Sequence, residues 1–182
     1  MNIANVNSSI YWSSFHHDGL NYYIAATDKG LCYVGSPNHP FEEMVDAVSR
    51  RRADYTWIQD DERLKILREE LVDYLEGVRH HFSIPFDLLG TPFQLAVWQA
   101  LCSIPYGETK SYADIAHGIA RPAAVRAVGA AIGANPVLVA IPCHRVIGKN
   151  GALTGYRGGL DMKTKLLQLE QKHSNEHVMC SM

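Results

Sequence analysis

The stretch SYADIAHGIARPAAVRAVGAAIGA, residues 111–134, decides the architecture of the second half of the chain. Ser111 followed by Asp114 has the capping-box pattern, with Asp in place of the usual Glu, and predicts a helix from about Tyr112 to Gly118. Arg121-Pro122 turns the chain and opens a second helix from about Ala123 to Ala134, because proline suits a first helical position. Two short helices joined by a tight turn form a helix-turn-helix. The second helix is unusually thin, with Ala123, Ala124, Ala127, Gly129, Ala130, Ala131, Gly133 and Ala134. Such a helix suits either tight packing on another helix or entry into a nucleic-acid groove. Arg126 is the one charged residue on it.

Working outward, Asn135-Pro136 ends this helix, and the apolar run Val137–Ile141 reads as a buried strand or extended segment that delivers Pro142-Cys143-His144-Arg145-Val146. Two glycine-rich stretches follow, Gly148–Gly151 and Gly155–Gly159. An amphipathic helix is then expected over Leu160–Gln171, with a polar, frayed tail from Lys172. Upstream, Thr91-Pro92 is a helix start, Thr as N-cap and Pro at the first position. That helix should run to about Ser103 with Phe93, Val97, Ala100 and Leu101 on its buried face and Cys102 in the core. The first half opens with three β-like runs, Ile10–Phe15, Leu20–Thr27 and Leu31–Gly35, divided by Asp18-Gly19 and Asp28-Lys29-Gly30. Helical spacing follows in Phe41, Met44, Val45 and Val48, then in Leu64, Leu67, Leu71 and Leu75, and 82–86 reads as extended. The class is α+β: a small N-terminal antiparallel sheet with helices over 1–88, then a helical, winged-helix-like domain with the helix-turn-helix over 89–182.

Composition bounds the function. At 182 residues with 47% apolar and 20% charged residues, the chain can build a core. No basic segment followed by an apolar run opens it, and no apolar stretch is long enough to span a bilayer. Cys32, Cys102, Cys143 and Cys180 include no CxxC; the expectation is reduced thiols in a cytoplasmic protein, nucleoid-associated in a bacterium. The pairs His16-His17 and His80-His81 lack zinc-motif spacing, so no metal is expected. Net charge is −2, yet residues 1–90 hold 8 Lys+Arg against 14 Asp+Glu, and residues 91–182 hold 9 against 5. A polyanion responds to that local basic excess rather than to the whole-chain charge.

A lone cysteine is ordinarily a small buried hydrophobe. With His and Arg adjacent, Cys143 is also a candidate thiolate nucleophile, since a basic partner favours the reactive form. Adjacency alone does not bring Cys143 and His144 into contact, because neighbours on a strand face opposite ways. The string from Asn135 to Val146, NPVLVAIPCHRV, closely resembles the signature of the O6-alkylguanine-DNA alkyltransferases, also called methylated-DNA–protein-cysteine methyltransferases. The resemblance covers roughly Gly90 to Glu170, and the first half resembles that family's variable N-terminal domain loosely.

The resemblance implies single-turnover transfer of an alkyl group from O6-alkylguanine in DNA, and from O4-alkylthymine, irreversibly to Cys143 after base flipping. It needs no metal or organic cofactor. Cys143 matches the acceptor, His144 the base acting through a water, Glu170 the carboxylate that orients the histidine, and Asn135 the tie between recognition helix and active site. Tyr112 resembles the tyrosine that turns the nucleotide out, and Arg126 the finger that replaces it. Ala127, Arg145, Val146, Arg157 and Gly158 fall on the substrate and DNA side. Family members commonly have a small polar residue at Arg157, so this side chain is expected to reach a phosphate or narrow the pocket mouth. Alkyltransferase-like proteins that bind damage without repair lack the cysteine, whereas this chain has it. The larger adaptive-response regulators carry a cysteine cluster in an N-terminal zinc domain, where this half has Cys32 alone.

Two other classes compete. A cysteine hydrolase would use Cys143-His144-Glu170 but leaves the helix-turn-helix without a role. A non-enzymatic helix-turn-helix regulator leaves the cysteine string without one. A recognition helix so poor in polar side chains has little with which to read major-groove base edges. The expected partner is therefore double-stranded DNA with an O6-alkylguanine, docked through the minor groove with little sequence preference. No membrane partner is expected, and the protein is expected to be a monomer.

Overall fold

The structure is a computed structural model, which describes residues 8–179. Strands β1 (Ser9–His17), β2 (Leu20–Thr27) and β3 (Gly30–Val34) form an antiparallel meander, as the Asp-Gly and Lys-Gly turns predict. Helix α1 (Phe41–Ser49) follows, then β4 (Thr56–Gln59), which pairs in parallel with β1 to give the order β3-β2-β1-β4. β4 was not anticipated from sequence: it is four residues long with three of them exposed, so it carries no burial alternation. Helix α2 (Lys65–Leu75) closes this half, burying Leu71 and Tyr74.

Helix α3 (Pro92–Cys102) begins where Thr91-Pro92 predicts, with a complete capping box between Thr91 and Gln94. Its buried residues are Val97, Trp98 and Leu101, and Phe93 and Ala100 pack at the margin. Cys102 is exposed rather than in the core: it ends the helix, and Leu101 before it points inward. A two-stranded parallel ladder joins β5 (Lys110–Ser111) to β6 (Val146–Ile147). Between them lie α4 (Tyr112–Gly118), capped by Ser111 and Asp114, a 3-10 turn over Pro122–Ala124, and α5 (Val125–Gly133). The 3-10 turn takes the first residues expected in the second helix. The last helix, α6 (Leu160–Met179), runs past Gln171 instead of fraying at Lys172. Cys180 lies outside the described residues.

Val137–Ile141 is buried as expected but is a tight turn rather than a strand. Ile141 N bonds Val137 O, and Ala140 N bonds Leu138 O. Val139 has φ +67°, a conformation that β-branched residues rarely adopt. Apolar composition reports burial and is silent on backbone direction.

The two halves share one hydrophobic cluster, running from Ile24, Leu31 and Tyr74 to Trp98, Val128 and Leu166. β3 is the seam. Its free edge is covered by the extended segment, Leu31 N bonding Pro85 O and Asp87 N bonding Leu31 O, and by residues 136–138, where Val34 N bonds Pro136 O and Leu138 N bonds Val34 O. Gly30 is required there, because a Cβ would sit 2.3 Å from Pro85 O. No helix among the described residues is long and apolar enough to cross a membrane.

Trp98 joins α3 to α5. It is fully buried, and its indole Nε1 donates to Ala131 O at 2.9 Å. Trp98→Phe is expected to cost about 1–2 kcal/mol by removing this donor, and Trp98→Ala about 3–5 kcal/mol through the cavity it leaves; urea unfolding with a constant m-value checks both.

Candidate functional site

The turn over 137–141 feeds a 3-10 turn at Cys143–Arg145. Asn135, just beyond the end of α5, staples the two together. Its Oδ1 accepts from Val137 N at 3.0 Å, and its Nδ2 donates to Val137 O at 3.2 Å, Ile141 O at 3.1 Å and Cys143 Sγ at 3.1 Å. This network offsets the strain at Val139 and presents a donor to the sulfur. The 3-10 turn also resolves the question of strand neighbours, since Cys143 and His144 lie on a turn rather than on a strand.

Cys143, His144, Asn135 and Glu170 are all buried. His144 Nε2 meets Glu170 Oε1 at 2.5 Å, and among the described residues none bonds His144 Nδ1. Burial would raise the Glu170 carboxyl, but His144, Arg145 and the Tyr74 hydroxyl hold it down at about 2. An ionised carboxylate accepts only, so Nε2 carries the proton and Nδ1 keeps its lone pair. Burial lowers the His144 pKa against the opposing pull of Glu170, which favours a neutral ring. Burial raises the Cys143 thiol, while the Asn135 hydrogen bond and the charges of Arg157 and Lys163 act to lower it. The resting thiol is therefore protonated and needs a base.

Cys143 lines a cavity of about 550 Å³ together with Tyr112, Gly129, Ile132, Gly133, Thr154, Gly155, Tyr156 and Arg157. Tyr112 crosses its mouth, its hydroxyl 2.9 Å from Thr154 Oγ1. Gly158 does not line the cavity but follows Arg157 in a tightly packed turn, for a Cβ would meet Met162 Sδ and the Tyr156 ring at 2.6 Å. On α5, Val128, Ala131 and Ile132 face the core, while Arg126 and Ala127 are exposed. An added Cβ at Gly133 would meet nothing within 4 Å. Helix packing therefore does not explain the small residue there, and the thin face is turned outward.

Three residues expected on the substrate and DNA side, Arg145, Val146 and Arg157, spend their contacts inside the protein, although Arg157 also lines the cavity. Arg145 is buried: its Nε bonds Glu170 Oε2 at 2.9 Å, Nη1 bonds Ile104 O at 2.6 Å, and Nη2 bonds the Tyr74 hydroxyl at 3.1 Å. Arg157 reaches toward the first half, donating from Nη2 to Val34 O at 3.0 Å and Pro136 O at 3.2 Å. Its guanidinium lies 5.3 Å from the Tyr33 ring centre, and Ser36 Oγ bonds its carbonyl. The side chain of Val146 is buried in β6, and its carbonyl accepts from Lys163 Nζ at 2.6 Å. Part of the basic excess of the second half is thus internal; Lys110, Arg121, Arg126, Lys149, Lys165 and Lys172 remain exposed.

Three site residues escaped sequence reasoning. Tyr156 stands edge-on to His144, ring centres 6.3 Å apart. Lys163 is fully buried and also bonds Thr154 O at 2.8 Å; its place on the α6 face shared by Leu166 and Glu170 was a readable signal. Tyr74 reaches Glu170 from α2, and nothing local to it in sequence points there. Among the described residues no cluster of His, Cys, Asp and Glu is arranged to hold a metal.

The geometry predicts an acid-sensitive fold. The Glu170 carboxyl, at about 2 when folded against an ordinary 4.5, stabilises the protein fully above its ordinary value. That contribution is lost as pH falls through 4.5 toward 2. Glu170→Gln leaves Arg145 unpaired and is expected to cost about 3–5 kcal/mol at pH 7, with the deficit against the parent shrinking below pH about 4.5; denaturant unfolding from pH 7 to 3 measures it.

Comparison with known proteins places the chain. Residues 92–172 match the family model "6-O-methylguanine DNA methyltransferase, DNA binding domain", and residues 21–88 match "6-O-methylguanine DNA methyltransferase, ribonuclease-like domain". The chain is 57% identical to the inducible methylated-DNA–protein-cysteine methyltransferase of Bacillus subtilis, over 92% of this chain and 94% of that one. It is 40% identical to the methylated-DNA–protein-cysteine methyltransferase of Methanosarcina barkeri, over 82% and 90%. Its fold superposes on Mycobacterium tuberculosis OGT solved in complex with DNA, with TM-score 0.76, 36% identity, and coverage of 90% of this chain and 94% of that one.

Proposed function

The chain belongs to the 6-O-methylguanine DNA methyltransferase family, and on that premise we propose how its own residues carry out the transfer. The protein is a DNA-repair alkyltransferase that moves an alkyl group from DNA to a cysteine of its own. Cys143 is the acceptor. The observation that carries this is its position: it is the cysteine that lines the cavity under Tyr112, with Asn135 Nδ2 on its sulfur and His144 next to it on the same 3-10 turn.

His144 Nδ1 takes the thiol proton, directly or through a water, and Glu170 stabilises the imidazolium that forms. The thiolate attacks the alkyl carbon as the bond from that carbon to guanine O6 breaks. The bond's electrons leave with the guanine, which takes up a proton. O4-alkylthymine presents the same bond and is a second substrate. Asn135 stabilises the developing thiolate, so a thiol whose pKa burial raises is ionised only when the base acts. The target must leave the duplex to reach the cavity. The outward face of α5 with Ala127 and Gly133 is thin enough to approach the minor groove. Arg126 fills the space of the flipped base, and Tyr112 and the wall that leads into Gly158 hold it. Phosphate contacts from exposed lysines and arginines give affinity without sequence preference. Residues 89–182 bind DNA and carry the chemistry, and residues 1–88 support them, in a monomer working in the cytoplasm.

Since a thioether has no easy leaving path, one protein should act once. Incubation with O6-methylguanine duplex should add a single methyl to Cys143 and none to Cys32, Cys102 or Cys180 by mass spectrometry. Turnover with a regenerated thiol would instead indicate a hydrolase.

The Arg126 assignment is tested by comparing substrates. Arg126→Ala should slow single-turnover repair of saturating duplex roughly a hundredfold, if extrusion receives about 2–3 kcal/mol of help. Reaction with free O6-benzylguanine should be nearly unchanged, and Arg126→Lys should rescue only partly, because a flexible ammonium cannot stack like a guanidinium. Equal slowing on both substrates would mean a damaged active site.

A further inference from the structure

Tyr74 stands on α2, in the half of the chain that supplies none of the residues assigned above. Its ring is buried, stacked on Phe82 at 5.0 Å and edge-on to Tyr106 at 5.8 Å. Its hydroxyl donates to Glu170 Oε1, accepts from Arg145 Nη2 at 3.1 Å, and lies 3.4 Å from His144 Nε2. Glu170 Oε1 therefore serves two donors at once, the Tyr74 hydroxyl and the His144 imidazole. A buried tyrosine needs one partner, and any carbonyl nearby could supply it. Here the partner is the oxygen that governs the histidine.

We propose that Tyr74 is a positioning residue for alkyl transfer: its hydroxyl holds Glu170 Oε1 and competes there with His144, so that the imidazole stays neutral and ready to accept the thiol proton. The proposal rests on the reading of His144 as the base. Two donors on one oxygen draw on the same electron density, and each weakens the other. Without the hydroxyl, Oε1 is left to the imidazole alone. It then favours the imidazolium over the neutral ring, because a charge-assisted bond gains more.

The groups facing His144 are Glu170 and Lys163 from α6, Tyr74 from α2, Cys143 and Arg145 on its own turn, and Tyr156 from the cavity wall. Tyr74→Phe keeps the buried ring and removes only the hydroxyl, which frees Glu170 Oε1 of one donor and Arg145 Nη2 of one acceptor.

The test is the pH profile of single-turnover transfer from saturating O6-methylguanine duplex. In Tyr74→Phe the acid limb should move up by about one pH unit, giving a roughly tenfold lower rate below the limb and less than about a threefold change on the plateau. Site-specific 3-fluorotyrosine at position 74 keeps the ring, donates more strongly, and should move the limb down. If Tyr74→Phe does not fold, the direction of the fluorotyrosine shift decides alone. A rate loss equal at every pH marks a packing role and overturns the proposal. His144→Ala separates the two layers of the argument. A limb that it abolishes, but that neither change at position 74 moves, overturns the role of Tyr74 alone. A limb that persists in it belongs to another group and overturns the base assignment, and this proposal with it.

Discussion

A carboxylate shut away from water must find donors for its lone pairs or lose its charge, and Glu170 shows how many elements that requires. One oxygen accepts from His144 and Tyr74, and the other from Arg145 Nε and Gly107 N. The donors come from α2, from the bend after α3, and from the turn that carries Cys143. Meeting the needs of a single side chain draws the first half, the helical half and the reactive turn together. The same four bonds keep the carboxylate ionised and the imidazole proton on Nε2, which leaves Nδ1 free to act as an acceptor.

The nucleophile is controlled in the opposite way. Burial disfavours the Cys143 thiolate, and Asn135, Arg157 and Lys163 only partly offset this. A thiol kept protonated is protected from adventitious oxidation and alkylation, which matters for a protein that consumes itself in one reaction. Reactivity appears when the proton moves to a neighbour already held in the accepting tautomer. Strain at Val139 and the Asn135 staple belong to this arrangement, since together they turn the chain so that the sulfur faces the cavity while His144 faces α6.

The first half is more than a passive support. Arg157 anchors the cavity wall to Val34 O and Pro136 O, and Ser36 bonds the Arg157 carbonyl. β3 pairs with the segment that leads into Cys143. An arginine that sequence alone would aim at a phosphate is thus a brace between the two halves, and Arg145 is likewise part of the interior. Arg145 is an expensive charge to bury, tolerated because the Glu170 carboxylate, Ile104 O and the Tyr74 hydroxyl meet its donors; Arg157 is half-buried and places Nη2 on two backbone carbonyls.

What the sequence determined by itself was whatever local chemistry encodes: the three-stranded meander from its turn residues, α3 from its Thr91-Pro92 start, α4 from its capping box, the small side chains of α5, and the reactive string from Asn135 to Val146. Position within such a string identifies a candidate nucleophile and base, because their types and order are written in the chain. Only the tertiary structure decided the rest. It made Val137–Ile141 a turn, added β4 to the sheet, exposed Cys102, and drew Arg145 and Arg157 inward. It also brought Tyr74 across 96 positions of sequence to Glu170. These outcomes depend on which distant donors and acceptors must satisfy one another once water is excluded, and that requirement is a property of the packed interior, with no periodicity or local pattern to announce it.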